Sequence, residues 1–127
     1  MRQTLTEPQK LWIEALRSGE YKQTTKTLQN HDGFCCLGVA CDVARQHGIS
    51  VRTTPDGLIS GSDLLGQIDV WDWIGLRHAL GVPLDVTKFS PLTDLNDRHH
   101  LSFDAIADEL EYNPKEYFIP PNPNQDK

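Results

Sequence analysis

Asp32-Gly33-Phe34-Cys35-Cys36-Leu37-Gly38-Val39-Ala40-Cys41-Asp42-Val43-Ala44-Arg45-Gln46 is the stretch on which the fold turns. Asp32-Gly33 is a turn dipeptide, and it delivers the chain through Phe34 and Cys35 into a helix from about Cys36 to Gln46. Cys36, Leu37, Val39, Ala40, Cys41, Val43 and Ala44 leave that helix apolar on nearly every side. Such a segment belongs at the centre of a core. Gly38 in its first turns points to the close approach of another backbone. Gly48 ends the helix.

Upstream, Thr6-Glu7-Pro8-Gln9 has the capping-box pattern, with proline early in the first turn. Trp12, Ala15 and Leu16 recur at helical spacing, Leu11 and Ile13 widen the apolar face, and Gly19 supplies a left-handed stop. Tyr21 to Leu28 is rich in threonine and reads as an extended strand leading into Asn30-His31-Asp32-Gly33. Downstream, residues 49–54 and 58–60 flank Pro55-Asp56-Gly57 and read as a short hairpin. Residues 61–69 read as loop. An aromatic helix follows over Val70–Leu76, capped by Asp69 and running raggedly towards Leu80. Ser90-Pro91 reads as cap and first residue of a short helix ending near Asn96, where Asn96-Asp97 tolerates a turn. Ser102 caps the last helix, in which Phe103, Ile106, Ala107 and Leu110 follow the i, i+3, i+4, i+7 rule. Tyr117, Phe118 and Ile119 can hook back onto the core.

The expected fold is α+β: a single compact domain over residues 1–119, with a small antiparallel sheet and about four or five helices around the central buried one. Residues 120–127, rich in proline, are expected to be a disordered tail.

The chain has 127 residues and a formal net charge of −6, with its basic residues scattered. Phosphate contacts need clustered Lys and Arg, so nucleic acid is not an expected partner. No apolar run is long enough to span a bilayer, and the first residues lack a signal peptide's apolar core. Three cysteines, an odd number with Cys35 and Cys36 adjacent, do not make a disulfide framework. Reduced thiols and a cytoplasmic location are expected.

The D-G-F-C-C-L-G-V-x-C-D pattern over Asp32–Asp42 resembles a signature of small bacteriophage and prophage proteins of unknown function. The resemblance takes in Trp12–Gly19, Tyr21-Lys22-Gln23, Trp73–Leu76, Leu95-Asn96-Asp97, Phe103 and Ile106-Ala107-Asp108. It implies an accessory protein acting on the machinery or defences of a bacterial host, and it carries over no catalytic residue.

Cys35 and Cys36 stand at a helix N-terminus, where unpaired N–H groups favour a thiolate. With His31, His78, His99 or His100 as base and Asn96 or Asp97 as orienting group, they would make a cysteine hydrolase or transferase. Against this stands the ordinary fate of free cysteine, which packs as a small buried hydrophobe. His31, Cys35, Cys36 and Cys41 lack the spacing of a zinc knuckle, so neither metal nor cofactor is expected. Trp71 and Trp73, two residues apart, cannot both point down one narrow helical face. One of them should therefore be exposed, and Trp71 is the candidate, with Trp12, Trp73 and Phe34 in the core. Tyr21 and Trp71 are candidate partner contacts for a host protein. Lys22 and Lys26, with Arg17 or Arg52, are the candidate cations for a small anionic ligand, in one subunit or across a homo-oligomer.

Overall fold

The computed structural model describes residues 3–120. The tail expected over 120–127 lies, beyond Pro120, outside them. Its elements run α1 (Glu7–Arg17), β1 (Gln29–Asn30), β2 (Gly33–Phe34), α2 (Cys36–Gln46), a 3₁₀ turn at Leu64–Gly66, α3 (Ile68–Ile74), α4 (Leu92–Asp97), α5 (Phe103–Tyr112) and α6 (Pro114–Tyr117). This is an α+β fold, with six α-helices where about four or five are expected from sequence.

Helix α2 is the central element. Every residue from Cys36 to Cys41 is buried, as are Val43 and Ala44, and the helix packs against α1, α3, α4 and β2. What brings the chain into it is a tight hairpin. Asn30 Oδ1 accepts from the backbone N–H of Asp32 (2.8 Å) and Gly33 (3.1 Å), closing the turn. β1 and β2 then pair antiparallel, Gln29 opposite Phe34 and Asn30 opposite Gly33.

The segment before β1 wraps this hairpin closely. Phe34 N–H donates to the Lys22 carbonyl and Thr24 N–H to the Phe34 carbonyl, both at 2.8 Å. A Cβ on Gly33 would lie 2.1 Å from Lys22 O, and one on Gly38 would lie 1.8 Å from Leu28 O. Both glycines are thus required by a second backbone lying against them. The threonine-rich segment is not the expected strand: only a parallel bridge, Gln23 with Phe34, forms there, and Lys26 takes a left-handed φ of 69°.

Helix α1 docks through its buried face. The capping box of Thr6 and Gln9 is formed, Gln9 Nε2 donates to the Ile74 carbonyl (3.0 Å), and Trp12 Nε1 donates to the Cys36 carbonyl (2.9 Å). Arg17 at its end pairs with Asp108 (2.9 Å) and Glu111 (3.0 Å) on α5. Phe118 meets the Trp12 ring edge-on at 6.0 Å, and Tyr117 and Phe118 are fully buried. The hook therefore exists at those two residues, whereas Ile119 is 55% exposed.

The expected hairpin over 49–60 forms as a short one: an antiparallel bridge of Thr53 with Ile59 is flanked by bonds from Thr54 N–H to the Leu58 carbonyl (2.7 Å) and from Ser60 N–H to the Arg52 carbonyl (3.0 Å). Side chains complete the pairing of its backbone. Gln67, buried, accepts from Arg52 N–H and donates to the carbonyls of Arg52 and Ser60, each at 2.9 Å. Gln29 Oε1 accepts from Ile59 N–H in the same way (2.9 Å). Amide side chains stand where a longer sheet would have stood, and they meet the same demand that buried backbone groups be paired.

Three boundaries also differ from expectation. Helix α3 begins at Ile68, before Asp69, and stops at Gly75, whose φ of 74° makes a left-handed cap. Ser90 does not cap α4: Pro91 is the N-cap, with no side-chain bond. Asn96 is inside α4 and turns nothing; the left-handed residue after the helix is His100, at φ 53°.

Candidate functional site

The three cysteines lie within the core, at most 4% exposed. Cys35 is the N-cap of α2, its Sγ accepting from Gly38 N–H at 3.4 Å, and Cys36 Sγ donates to the Leu92 carbonyl at 3.7 Å. Burial pushes the Cys35 thiol up to about 12, more than the helix-end N–H groups can offset. It raises Cys36 and Cys41 as well, and the neighbouring Cys35 adds to both. At neutral pH all three are thiols.

A base is not at hand for them. His31, His78, His99 and His100 are exposed, and among the described residues no histidine is hydrogen-bonded to a cysteine sulfur. His78 Nδ1 accepts from Leu80 N–H (3.1 Å), and the fifth histidine, His47, lies against the Trp73 ring at 5.9 Å. No cluster able to hold a metal ion occurs among the described residues.

Asn96 does meet the cysteine-rich stretch, through backbone. Its Oδ1 accepts from Gln23 Nε2 (2.8 Å) and from Cys36 N–H (3.2 Å), while Nδ2 donates to Thr24 O (2.9 Å) and Asp97 Oδ1 (2.8 Å). Asp97 Oδ1 in turn accepts from Lys26 N–H (3.0 Å), holding that residue in its left-handed conformation. Gln23 also reaches the Leu101 carbonyl at 2.8 Å. The L-N-D and C-C-L-G stretches are thus parts of one buried lattice of amides. Each member has a structural duty, and no buried side-chain polar atom among the described residues is left without a partner.

The remaining sequence candidates separate in space. Tyr21 turns onto α2: its hydroxyl donates to Asp42 Oδ2 at 2.6 Å, and its ring meets Phe34 edge-on. Burial, reinforced by that carboxylate, raises its pKa to about 12. Lys22 is exposed beside it. Lys26 lines a different concavity with Asp94, Asp97 and Arg98, where acidic groups accompany it. Arg17 is committed to α5.

Trp71 opens onto a groove of about 310 Å³ that it shares with Ile68, Gly75, Leu76 and Ile119, with Asp72 and Arg77 at its edge. The tryptophan is half-buried, its Nε1 donating to the Leu76 carbonyl at 2.9 Å, and Trp73 is half-buried too. The expectation that one of them stands exposed is corrected: the chain turns at Gly75, and the Leu76 carbonyl that follows holds the indole by its N–H. The exposed apolar residues are instead Ile68 (65%) and Ile119 (55%), flanking the indole, with Leu65 (63%) one turn before Ile68. Sequence reading placed Ile68 in a loop and Ile119 in the core. The usable signal was the spacing of Ile68 and Trp71, three residues apart, which puts them on one side of α3.

The match with known families falls on most of the chain. The profile of a family described as a domain of unknown function (DUF8296) covers residues 1–114, and the chain belongs to that family. No curated protein and no solved structure matches it. No helix among the described residues is long and apolar enough to cross a membrane.

Proposed function

We propose that this member of the DUF8296 family is a non-enzymatic binding protein of phage or prophage origin that modulates a host protein in the bacterial cytoplasm. The observation that carries this reading is the Trp71 groove, where two exposed isoleucines flank a tryptophan fixed by its own hydrogen bond. Aromatic residues ringed by exposed apolar side chains are the usual anchors of protein interfaces. The thiols support it from the other side, being too buried to serve as nucleophiles. Asp72 and Arg77 give the groove one charge of each sign. The net charge of −6, with Asp69 exposed on the same helix, makes the surroundings acidic, which favours a host segment that carries an apolar anchor flanked by basic residues.

Affinity capture from host lysate tests this with three baits: the wild-type chain, Ile68→Glu and the control Val86→Glu. Val86 is equally exposed but does not line the groove. One host protein is expected on the wild type and the control, with recovery on Ile68→Glu reduced on the order of tenfold or more. Equal recovery on all three baits, or recovery of no protein by a folded wild type, rejects the groove as the binding surface.

A further inference from the structure

A second concavity, of about 400 Å³, shares no lining residue with the Trp71 groove. Its size suits a small ligand. Its lining includes the aromatic residues Phe89 and Tyr112, the lysines Lys88 and Lys115, and the acidic residue Glu116. None of these residues belongs to the groove or to the amide lattice around Asn96.

The charges at this site are differently disposed. Asp85, which also lines it, accepts at Oδ1 from the N–H and hydroxyl of Thr87, which hold its carboxyl below the usual range and so keep it charged. The lining thus carries two carboxylates beside the two lysines. Among the described residues neither lysine has an ion-pair partner. Glu116 is 7% exposed, a rare setting for a carboxylate. Its Oε1 accepts from Asp85 N–H at 2.8 Å, and no other hydrogen bond or ion pair reaches the carboxylate among the described residues. Since no buried polar atom there lacks a partner, Oε2 is in contact with solvent, and the cavity is where Glu116 meets it. An acceptor so placed calls for an N–H donor.

We propose that this cavity binds a purine nucleotide: phosphate on Lys88 and Lys115, base against Phe89 and Tyr112, and a base N–H edge on Glu116. Lysines supply phosphate contacts, and aromatic rings stack any base. The carboxylate selects among bases, because guanine offers two adjacent N–H donors where adenine offers one amino group. The positive charge that the sequence sought at Lys22 and Lys26 is supplied instead by two lysines 27 positions apart in the chain.

Isothermal titration calorimetry of the full chain with GMP, AMP, guanosine and inorganic phosphate tests the assignment. GMP is expected to bind most tightly, AMP and guanosine each on the order of tenfold more weakly, and phosphate alone without measurable heat. The double variant Lys88→Ala, Lys115→Ala changes only exposed side chains, so it should fold. It is expected to bring GMP to the affinity of guanosine while leaving guanosine unchanged. Glu116→Gln keeps an oxygen for Asp85 N–H and should narrow the gap between GMP and AMP. Ile68→Glu, in the other concavity, should leave GMP binding unaltered, so this site and the groove stand or fall separately. Absence of GMP binding by the folded protein, AMP binding more tightly than GMP, or GMP affinity unchanged in the double-lysine variant overturns the proposal.

Discussion

Gly38→Ala is expected to destabilise the protein by about 3 kcal/mol or more, enough to remove a large part of the stability of an ordinary domain. The added methyl would sit 1.8 Å from the Leu28 carbonyl oxygen, a backbone atom with no rotamer to change. Relief requires α2 and the Leu28 segment to part by more than an ångström. That movement would also stretch the bond from Cys35 N–H to the same carbonyl (3.2 Å) and open the core around Leu28, which is fully buried. Helix propensity pulls the other way, since alanine is favoured over glycine by about 1 kcal/mol in a helix interior, and it is outweighed. Gly66→Ala is the control: nothing lies within 4 Å of its added Cβ. Urea midpoints at matched slopes should fall sharply for Gly38→Ala and hardly move for Gly66→Ala. A Gly38→Ala midpoint equal to wild type would refute the close backbone contact.

Replacing Asn96 is expected to cost nearly as much, about 2–4 kcal/mol for Asn96→Ala. All four hydrogen-bonding positions of this amide are used: by Gln23, Cys36 N–H, Thr24 O and Asp97. Truncation leaves the first N–H of α2 and the Thr24 carbonyl unpaired at a site where Asn96 itself is 1% exposed. Asn96→Asp is the sharper test because it preserves shape. It places an oxygen where Nδ2 donated, facing the Thr24 carbonyl and the Asp97 carboxylate, so at neutral pH it should be at least as damaging as alanine. Chemical denaturation of both variants checks this. An Asn96→Asp protein within about 0.5 kcal/mol of wild type would show that the lattice is not what ties α4 to α2.

These two positions also show how much of the molecule could be read from the chain. The helices with a clear apolar period, α1 and α5, stand where Trp12, Leu16, Phe103, Ile106 and Leu110 placed them, and α2 is central because only Asp42, Arg45 and Gln46 interrupt its apolar surface. Gly38 was legible because a glycine in an otherwise apolar helix has little other use. The short hairpin over 49–60 was legible from Pro55-Asp56-Gly57; the part of Gln67 in completing its backbone pairing was not, because a lone glutamine has no periodicity to betray it. Asn96 deceived for a related reason: a residue that favours turns when exposed is equally able to sit in a helix and bond four partners when buried. Of the candidate site, Trp71 was identified from its spacing to Trp73. Ile119 was not, since its neighbours Tyr117 and Phe118 do bury and only the register of the last strand-like residues turns it outward. Lys88, Lys115 and Glu116 are far apart or unremarkable in sequence and become a group only through the packing of α6.

That the cysteine-rich stretch builds the core and performs no chemistry is the central claim, and alkylation of each cysteine by iodoacetamide against pH tests it most directly. A buried thiol whose pKa is raised favours the protonated form, so the folded protein withholds thiolate through the whole range in which a free cysteine, near 8.5, would ionise. For Cys35 the thiolate should form only near 12. Labelling between pH 6 and 9 should therefore be slow at all three positions, should follow the rate at which the protein opens, and should become fast when urea unfolds the chain. The contradicting result is rapid labelling of Cys35 or Cys36 in the folded protein with an inflection well below 8.5, the mark of an activated nucleophile.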